Sequence, residues 1–177
     1  MKKRVLVVID GSNLYFKLKD LKFKKLVEFG YANLIKSLVD KKSSLKIKYY
    51  IGAVRTDSTK RSLKMFSNQR GLLANLKKQK IEYFLGYLLK SDGTFHEKGV
   101  DVQMVVDMLK GAYKNEYDQF LLVSSDSDIV PAIEAVEAEG KEVVYVGFKH
   151  QPSYAMLKSC KKSIPLEKKD LKRFANG

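Results

Sequence analysis

The feature that most constrains the fold of this chain is a series of short apolar runs. Five such runs lie at residues 4–9, 47–54, 81–89, 119–125 and 142–148. They are almost continuously apolar and do not alternate with polar residues, which is typical of strands that are buried on both faces of a parallel sheet. The sequence therefore predicts a sheet whose two faces are both covered.

Segments with helical periodicity separate these runs. Apolar residues recur three or four positions apart at residues 31–39, 60–78, 100–113 and 129–139. Alternating strands and helices predict an α/β fold with three layers, in which a central, mainly parallel sheet lies between helices. We expect one domain over residues 1–150 and, at 151–177, a short basic helical extension that packs on the same domain.

The charge of the chain indicates its partner. Among 177 residues, 34 are Lys or Arg and 20 are Asp or Glu, which gives a net charge of +14. A field of this sign attracts polyanions and accelerates their encounter with the protein, which favours a nucleic acid as the partner. The alternative is a lysine-rich surface that serves solubility alone.

Several classes of protein are excluded by composition. A hydrophobic content of 45% excludes wholesale disorder, and the single cysteine, Cys160, excludes a disulfide framework or a cysteine-rich zinc site. No apolar stretch approaches the roughly 18 residues that a membrane-spanning helix needs. We therefore expect a cytoplasmic protein without a membrane partner.

Carboxylates follow two of the predicted strands directly. Asp10 ends the run at 4–9, and Asp126 and Asp128 follow the run at 119–125. In an open parallel sheet, ligands bind beyond the carboxyl ends of the strands, where the strand order reverses. If these two strands are neighbours, the three carboxylates converge, and a hard divalent cation such as Mg²⁺ or Mn²⁺ would relieve their repulsion.

A fourth candidate ligand is Asp101, near the start of a predicted helix. Each acid also has a purely local explanation. Asp101 suits the first turn of a helix, Asp126 or Asp128 suits the cap of the helix that begins near Ile129, and Asp10 suits a turn. These explanations do not account for the concentration of acids at strand ends in so basic a chain, which favours the metal site.

Polar residues near these acids are candidates for orienting a carboxylate or a phosphate. They are Ser12, Asn13, Ser124 and Lys98. The alternatives are a helix cap for Asn13, turn positions for the serines and an ordinary exposed position for Lys98.

Three common catalytic templates are missing from the sequence. It contains no G-x-x-x-x-G-K-[ST] phosphate loop, no G-x-G-x-x-G after a strand and no G-x-S-x-G element. These absences argue against a P-loop nucleotidase, a dinucleotide-dependent dehydrogenase and a serine hydrolase.

Three segments together resemble a known family. They are VVIDGSNLYF, EKGVDVQMVVDML and LLVSSDSDIVPAIEAVEAEGKEVVYVGF. Their order is similar to that of the NYN domain family, especially its LabA-like (DUF88) branch, within the PIN-like nuclease fold, and the resemblance spans roughly residues 4–150. It implies a ribonuclease-type activity and an acidic site for a divalent metal. The site residues that it implies are Asp10, Asp101, Asp126 and Asp128, with Asn13 beside them. Ser125 stands where a glycine is common and Ile129 where Phe is common, and neither departure removes a ligand.

Together these features predict a ribonuclease that hydrolyses phosphodiester bonds with Mg²⁺ or Mn²⁺. Asp10 and Asp126 would be the main ligands, and Asp101 and Asp128 would complete the site. One alternative is a non-catalytic RNA-binding protein that retains the acidic pocket. Another is a metal-dependent phosphatase or nucleotidase, although a small phosphate does not require a charge of +14 and Ser12 stands where an aspartyl-phosphate route would need an acid. A homodimer is compatible with the sequence but not required by it.

Overall fold

The computed structural model describes residues 2–56, 58–91 and 94–175. Within these residues, seven strands form a single sheet. The strands are β1 (Arg4–Asp10), β2 (Ser44–Gly52), β3 (Glu82–Ser91), β4 (Thr94–Lys98), β5 (Gln119–Val123), β6 (Glu142–Phe148) and β7 (Lys162–Leu166).

Helices connect most of these strands. In chain order they are α1 (Gly11–Asp20), α2 (Tyr31–Leu38), α3 (Lys60–Lys78), α4 (Val100–Tyr113), α5 (Val130–Ala138), α6 (Tyr154–Ser159) and α7 (Lys168–Leu171). Short 3₁₀ turns lie at Leu26–Glu28, Ser127–Ile129 and Lys172–Phe174.

The strand order of the sheet is β4-β3-β2-β1-β5-β6-β7. All neighbouring strands run parallel except β3 and β4, which are antiparallel at one edge. The predicted mainly parallel sheet is therefore confirmed. From β1, the chain builds the sheet outward through β2 and β3 on one side and later through β5, β6 and β7 on the other. The strand order thus reverses between β1 and β5, which is where such sheets bind ligands.

Two hydrophobic cores cover the two faces of the sheet. On one face, Val5, Val7 and Ile9 of β1 pack with α1, α2, α3 and α7. On the other face, Leu6 and Val8 pack with α4, α5 and α6. Successive side chains of a strand point to opposite faces, so every apolar residue of β1 is buried. This confirms the three-layer α/β/α fold and explains the lack of alternation in the first apolar run.

The segment at 151–177 differs from its predicted helical character. Within its described part, residues 162–166 form β7, which pairs in parallel with β6 and extends the sheet. Pro165 favours a break in a helix, but proline is tolerated in an edge strand, where one side of the backbone has no strand partner. The prediction of helices alone was therefore wrong for these five residues.

Two other properties of the chain bear on the exclusions made above. Cys160, the free cysteine, is buried. In the part of the chain that the structure describes, no helix combines the length and the apolar composition that crossing a membrane requires.

Candidate active site

Asp10 lies at the junction of β1 and α1, without an intervening loop. It is the last residue of β1 and the N-cap of α1, and its Oδ1 accepts a hydrogen bond of 2.9 Å from the backbone N–H of Asn13. Its Oδ2 accepts a second bond of 2.9 Å from the hydroxyl of Ser124. The residue is only 7% exposed. Both oxygens of this buried carboxylate are thus held in place by neutral donors.

Gly11 lets this junction lie against the neighbouring strand. A Cβ at Gly11 would be 2.2 Å from Cε1 of Tyr49 and 2.7 Å from the carbonyl oxygen of Tyr50. The hydroxyl of Tyr49 also donates a hydrogen bond of 3.3 Å to the Gly11 carbonyl oxygen. Because no larger residue fits without displacing β2, the glycine of the D-G-x-N element has a steric explanation.

Ser124 connects the carboxyl ends of β1 and β5, which the structure shows to be neighbours. Its buried hydroxyl donates to Asp10 and accepts a hydrogen bond of 3.1 Å from the backbone N–H of Asp126. One serine side chain therefore fixes Asp10 relative to the loop that carries Asp126. The neighbouring strands on which the expected convergence depends are therefore present, and the backbone of Asp126 lies beside the serine that binds Asp10.

Asp126 and Asp128 lie in the loop after β5. Asp126 is half-buried and caps the 3₁₀ turn Ser127–Ile129, because its Oδ1 accepts a hydrogen bond of 2.9 Å from the backbone N–H of Asp128. Asp128 is exposed. The local capping role considered for Asp126 is thus present, and it leaves the residue beside Ser124 and Asp10.

Asp101 approaches the site from α4. It is an exposed residue in the first turn of this helix, which begins directly after Gly99. Gly99 has a φ of +87°, a left-handed conformation that strongly favours glycine. The glycine of the K-G-x-D element therefore sets the direction in which α4 leaves β4 and so the position of Asp101.

The electrostatics of the site show that the acids interact with one another. Burial raises the pKa of Asp10, the hydrogen bonds from Asn13 and Ser124 oppose that rise, and the charges of Asp101 and Asp126 add to it. The pKa of Asp101 is also raised, first by partial burial and then by the charges of Asp126 and Asp128. The four acids thus form one mutually repelling cluster, although they come from three separate segments.

No cation of the protein neutralises this cluster in the described part of the chain, because none of the four acids forms an ion pair there. Nor do any three His, Cys, Asp or Glu side chains among the residues placed by the structure form a ready-made metal cage. Magnesium commonly binds through one or two carboxylates and keeps several waters, so a cage of three ligands is not a requirement. The donor set, which consists of oxygen atoms alone, fits Mg²⁺ or Mn²⁺.

The other candidate residues lie around the acids. Asn13 and Ser12 are half-buried in the first turn of α1, and Asn13 is not the cap, since its own N–H bonds to Asp10. Lys98, the last residue of β4, is exposed. Within the described residues its amine forms no ion pair, so the lysine closest to Asp101 in sequence is available to an external anion.

A second polar network, which fixes α4, is not predicted from the sequence. Asp107 accepts hydrogen bonds from the hydroxyl of Tyr50 at 2.7 Å, from Nζ of Lys48 at 2.9 Å and from Nε2 of Gln103 at 3.0 Å. The only available signal was the spacing of Gln103 and Asp107, four residues apart on a helix. The partners on β2 come from a distant part of the chain.

Comparison of the chain with known proteins identifies a family match and a similar fold. The family model for the NYN domain matches residues 4–167. No curated protein matches the chain. The fold is similar to the crystal structure of a protein of unknown function from Vibrio parahaemolyticus, with a TM-score of 0.72, 20% sequence identity and coverage of 96% of each chain. At this identity the likeness concerns the fold alone.

Proposed function

Because the chain belongs to the NYN domain family, whose domains are PIN-like nucleases, we propose that it is a divalent-metal-dependent ribonuclease of the LabA-like branch. The reaction would be the hydrolysis of phosphodiester bonds in RNA. The observation that carries the proposal is the bridge from Asp10 through the Ser124 hydroxyl to Asp126, at the point where the strand order reverses.

The acids would hold Mg²⁺ or Mn²⁺. Asp10 and Asp126 would be the main ligands, and Asp101 and Asp128 would complete the site directly or through water. Burial and, after it, repulsion by the other acids raise the pKa values of Asp10 and Asp101. A bound cation would relieve that repulsion, which supports this assignment. The chemistry that such an ion supplies is the activation of a water molecule and the neutralisation of charge on the phosphate.

The remaining residues would position the reacting groups. Ser124 holds the Asp10 carboxylate in a fixed orientation. Asn13 and Ser12 present polar side chains at the start of α1, where backbone amides also favour an anion. Lys98 would bind a phosphate next to the one that is cleaved. These side chains would thus bind and orient the substrate around the acids, and the proposal requires no histidine base.

Cleavage of a labelled single-stranded RNA in the presence of Mn²⁺ tests the proposal. We expect Asp10→Asn and Asp126→Asn to reduce the cleavage rate by about 100-fold or more, because each removes a charged carboxylate that would hold the metal ion. Asp20→Asn is the matched control. Asp20 is an exposed acid at the other end of α1 that accepts a hydrogen bond from Gln151, so its variant should cleave at the normal rate.

The outcomes separate the proposal from its alternatives. Unchanged cleavage in both site variants would refute the assignment of the acids. RNA that is bound but remains intact with every divalent metal would indicate a non-catalytic RNA-binding protein. Release of phosphate from mononucleotides, with RNA left intact, would indicate a phosphatase or nucleotidase. Circular dichroism spectra of the variants show whether each one retains its fold.

A further inference from the structure

The β3–β4 hairpin extends beyond the edge of the sheet that carries the acids. The pairing of β2 with β3 ends at Gly52 and Gly86. Beyond that pair, residues 87–91 of β3 pair with β4 alone. We call residues 87–91 and 94–98 the arm. Asp10 lies level with Tyr50 and Phe84 in the sheet, so the arm begins a few residues past the level of Asp10.

One face of the arm exposes large apolar side chains. Tyr87 is 59% exposed and Leu89 is 54% exposed, and their spacing of two residues places them on the same face of the strand. A cluster of exposed large apolar residues beside a polar site is unusual on a protein surface and is typical of a binding surface. The arm thus exposes an aromatic ring and an aliphatic neighbour on one face.

The ring of Tyr87 lies against the K-G-x-D element. A Cβ at Gly99 would be only 2.8 Å from Cε1 of Tyr87, so the ring packs on the glycine backbone itself. Asp101 follows two residues later. Lys98 is the direct cross-strand partner of Tyr87, which places the two side chains on the same face of the hairpin. The exposed ring is therefore paired across the hairpin with Lys98, and it contacts the glycine that precedes the helix turn carrying Asp101.

We infer that Tyr87 is a stacking subsite for a nucleobase of the single-stranded substrate, next to the phosphate held at the acids. This inference rests on the proposed function. Bases stack on exposed aromatic rings irrespective of their sequence, and nearby lysines bind the backbone. Leu89 would extend the apolar surface under the base, and Lys98 would bind the flanking phosphate.

Charge favours a nucleic acid over a protein as the occupant. An apolar protein interface excludes charged groups from its centre. Here the exposed Lys98 lies directly beside Tyr87 and forms no ion pair among the described residues, and the whole chain carries a charge of +14. A polyanion with flat apolar bases complements both features.

The inference is tested by measuring the binding of a fluorescently labelled single-stranded RNA of about 12 nucleotides. Fluorescence anisotropy reports the binding, and EDTA prevents cleavage. We expect Tyr87→Ala to weaken binding about tenfold and Tyr87→Leu to weaken it similarly, whereas Tyr87→Phe, which keeps the ring, binds like the unmodified protein. Tyr113→Ala is the matched control. Tyr113 is 60% exposed but lies at the opposite end of α4 from Asp101.

Three results would overturn the inference: unmodified protein that does not bind this RNA, Tyr87→Ala protein that binds normally, or Tyr87→Leu protein that binds as tightly as Tyr87→Phe. Loss of a dimer in sedimentation of Tyr87→Ala, with RNA binding intact, would instead assign the arm to self-association. The proposed function is tested by a different experiment, because it depends on whether Asp10→Asn protein still cleaves RNA and not on binding in EDTA. Loss of binding in Tyr87→Ala beside normal cleavage by Asp10→Asn would leave the subsite and remove the nuclease assignment.

Discussion

At the scale of single residues, the site depends on how the buried carboxylate of Asp10 is held. Asp10 has lost most of its contact with water, and among the described residues it receives two neutral hydrogen bonds, from Asn13 and Ser124, and forms no ion pair. Burial and neighbouring acids raise its pKa. Such an arrangement costs stability in the free protein, and it is the pattern expected where a group is kept for binding or catalysis.

Ser124→Ala tests how much the bridge contributes. The variant removes the donor to Asp10 and leaves the N–H of Asp126 without its acceptor, so we expect a loss of about 1–3 kcal/mol in the free energy of unfolding, measured in urea. Ser125→Ala, which removes a half-buried hydroxyl 3.2 Å from the Tyr145 hydroxyl, is the control and should cost less. Equal losses would mean that the Ser124 bridge has no special role.

The two ends of this bridge were predictable from the sequence, but the bridge itself was not. Asp10 and Asp126 directly follow apolar runs, and the carboxyl ends of neighbouring parallel strands meet at one edge. Ser124 is followed directly by four serines or acids, at 125–128, that serve a turn equally well. Which hydroxyl points into the sheet depends on the residue at which β5 ends, and apolar patterning does not fix a strand end that closely.

At the scale of elements, α4 decides whether Asp101 takes part in the site. Asp107 fixes this helix to β2 through the buried Tyr50 hydroxyl and the Lys48 amine. Partial burial raises the pKa of Asp107, but the hydrogen bonds from Tyr50 and Lys48 outweigh that effect, so its pKa lies below the ordinary value. The network stabilises the charged carboxylate and with it the docking of α4.

Asp107→Ala should therefore destabilise the protein by about 2–3 kcal/mol at neutral pH, because it leaves a buried hydroxyl and a half-buried amine without their acceptor. A carboxylate whose pKa is lower in the folded state stabilises the fold above its unfolded pKa of about 3.9 and loses that contribution as the pH falls. The difference between Asp107→Ala and unmodified protein in chemical denaturation should accordingly shrink below about pH 4.

Glu82→Ala provides the control for this prediction. The ion pair of Glu82 with Lys46, at 3.0 Å, is exposed on both sides, so its loss should change the free energy of unfolding by less than about 1 kcal/mol. If both variants were equally mild at neutral pH, the Asp107 network would not be what fixes α4 to the sheet.

Elements with strong apolar periodicity were predictable, and those without it were not. The helices at 60–78 and 100–113 have the predicted limits. In contrast, α1 has three buried residues among its ten and two lysines in its last turn, so its apolar periodicity is weak. Strands β4 and β7 are short edge strands with one neighbour each, and their polar composition and Pro165 give no strand pattern.

At the scale of the whole molecule, the ion pairs are concentrated at the amino ends of the strands. Four of them join basic residues there to Asp118, Glu82 or Glu142, which stand at or next to the starts of β5, β3 and β6. The pairs are Lys3–Glu142, Arg4–Asp118, Lys46–Glu82 and Lys162–Glu142. These four basic residues are thus paired with acids, whereas Lys98 forms no ion pair among the described residues.

The dependence of RNA binding on salt should distinguish Lys98 from these paired basic residues. Each phosphate contact of a single strand contributes a slope of about 0.7 in a plot of log affinity against log salt concentration, because a bound lysine releases a counterion from the nucleic acid. Lys98→Gln removes an exposed lysine beside the acids, so we expect its slope to fall by about 0.7, measured by RNA anisotropy in EDTA. Lys162→Gln removes a lysine of the same exposed class, but one that is paired with Glu142 at the opposite edge of the sheet, and its slope should not change. Equal changes of slope in both variants would show that the RNA contacts the basic surface as a whole. A change in Lys98→Gln alone would place the bound strand at the carboxyl edge of the sheet. There, a metal ion held by the acids would be within reach of its phosphates.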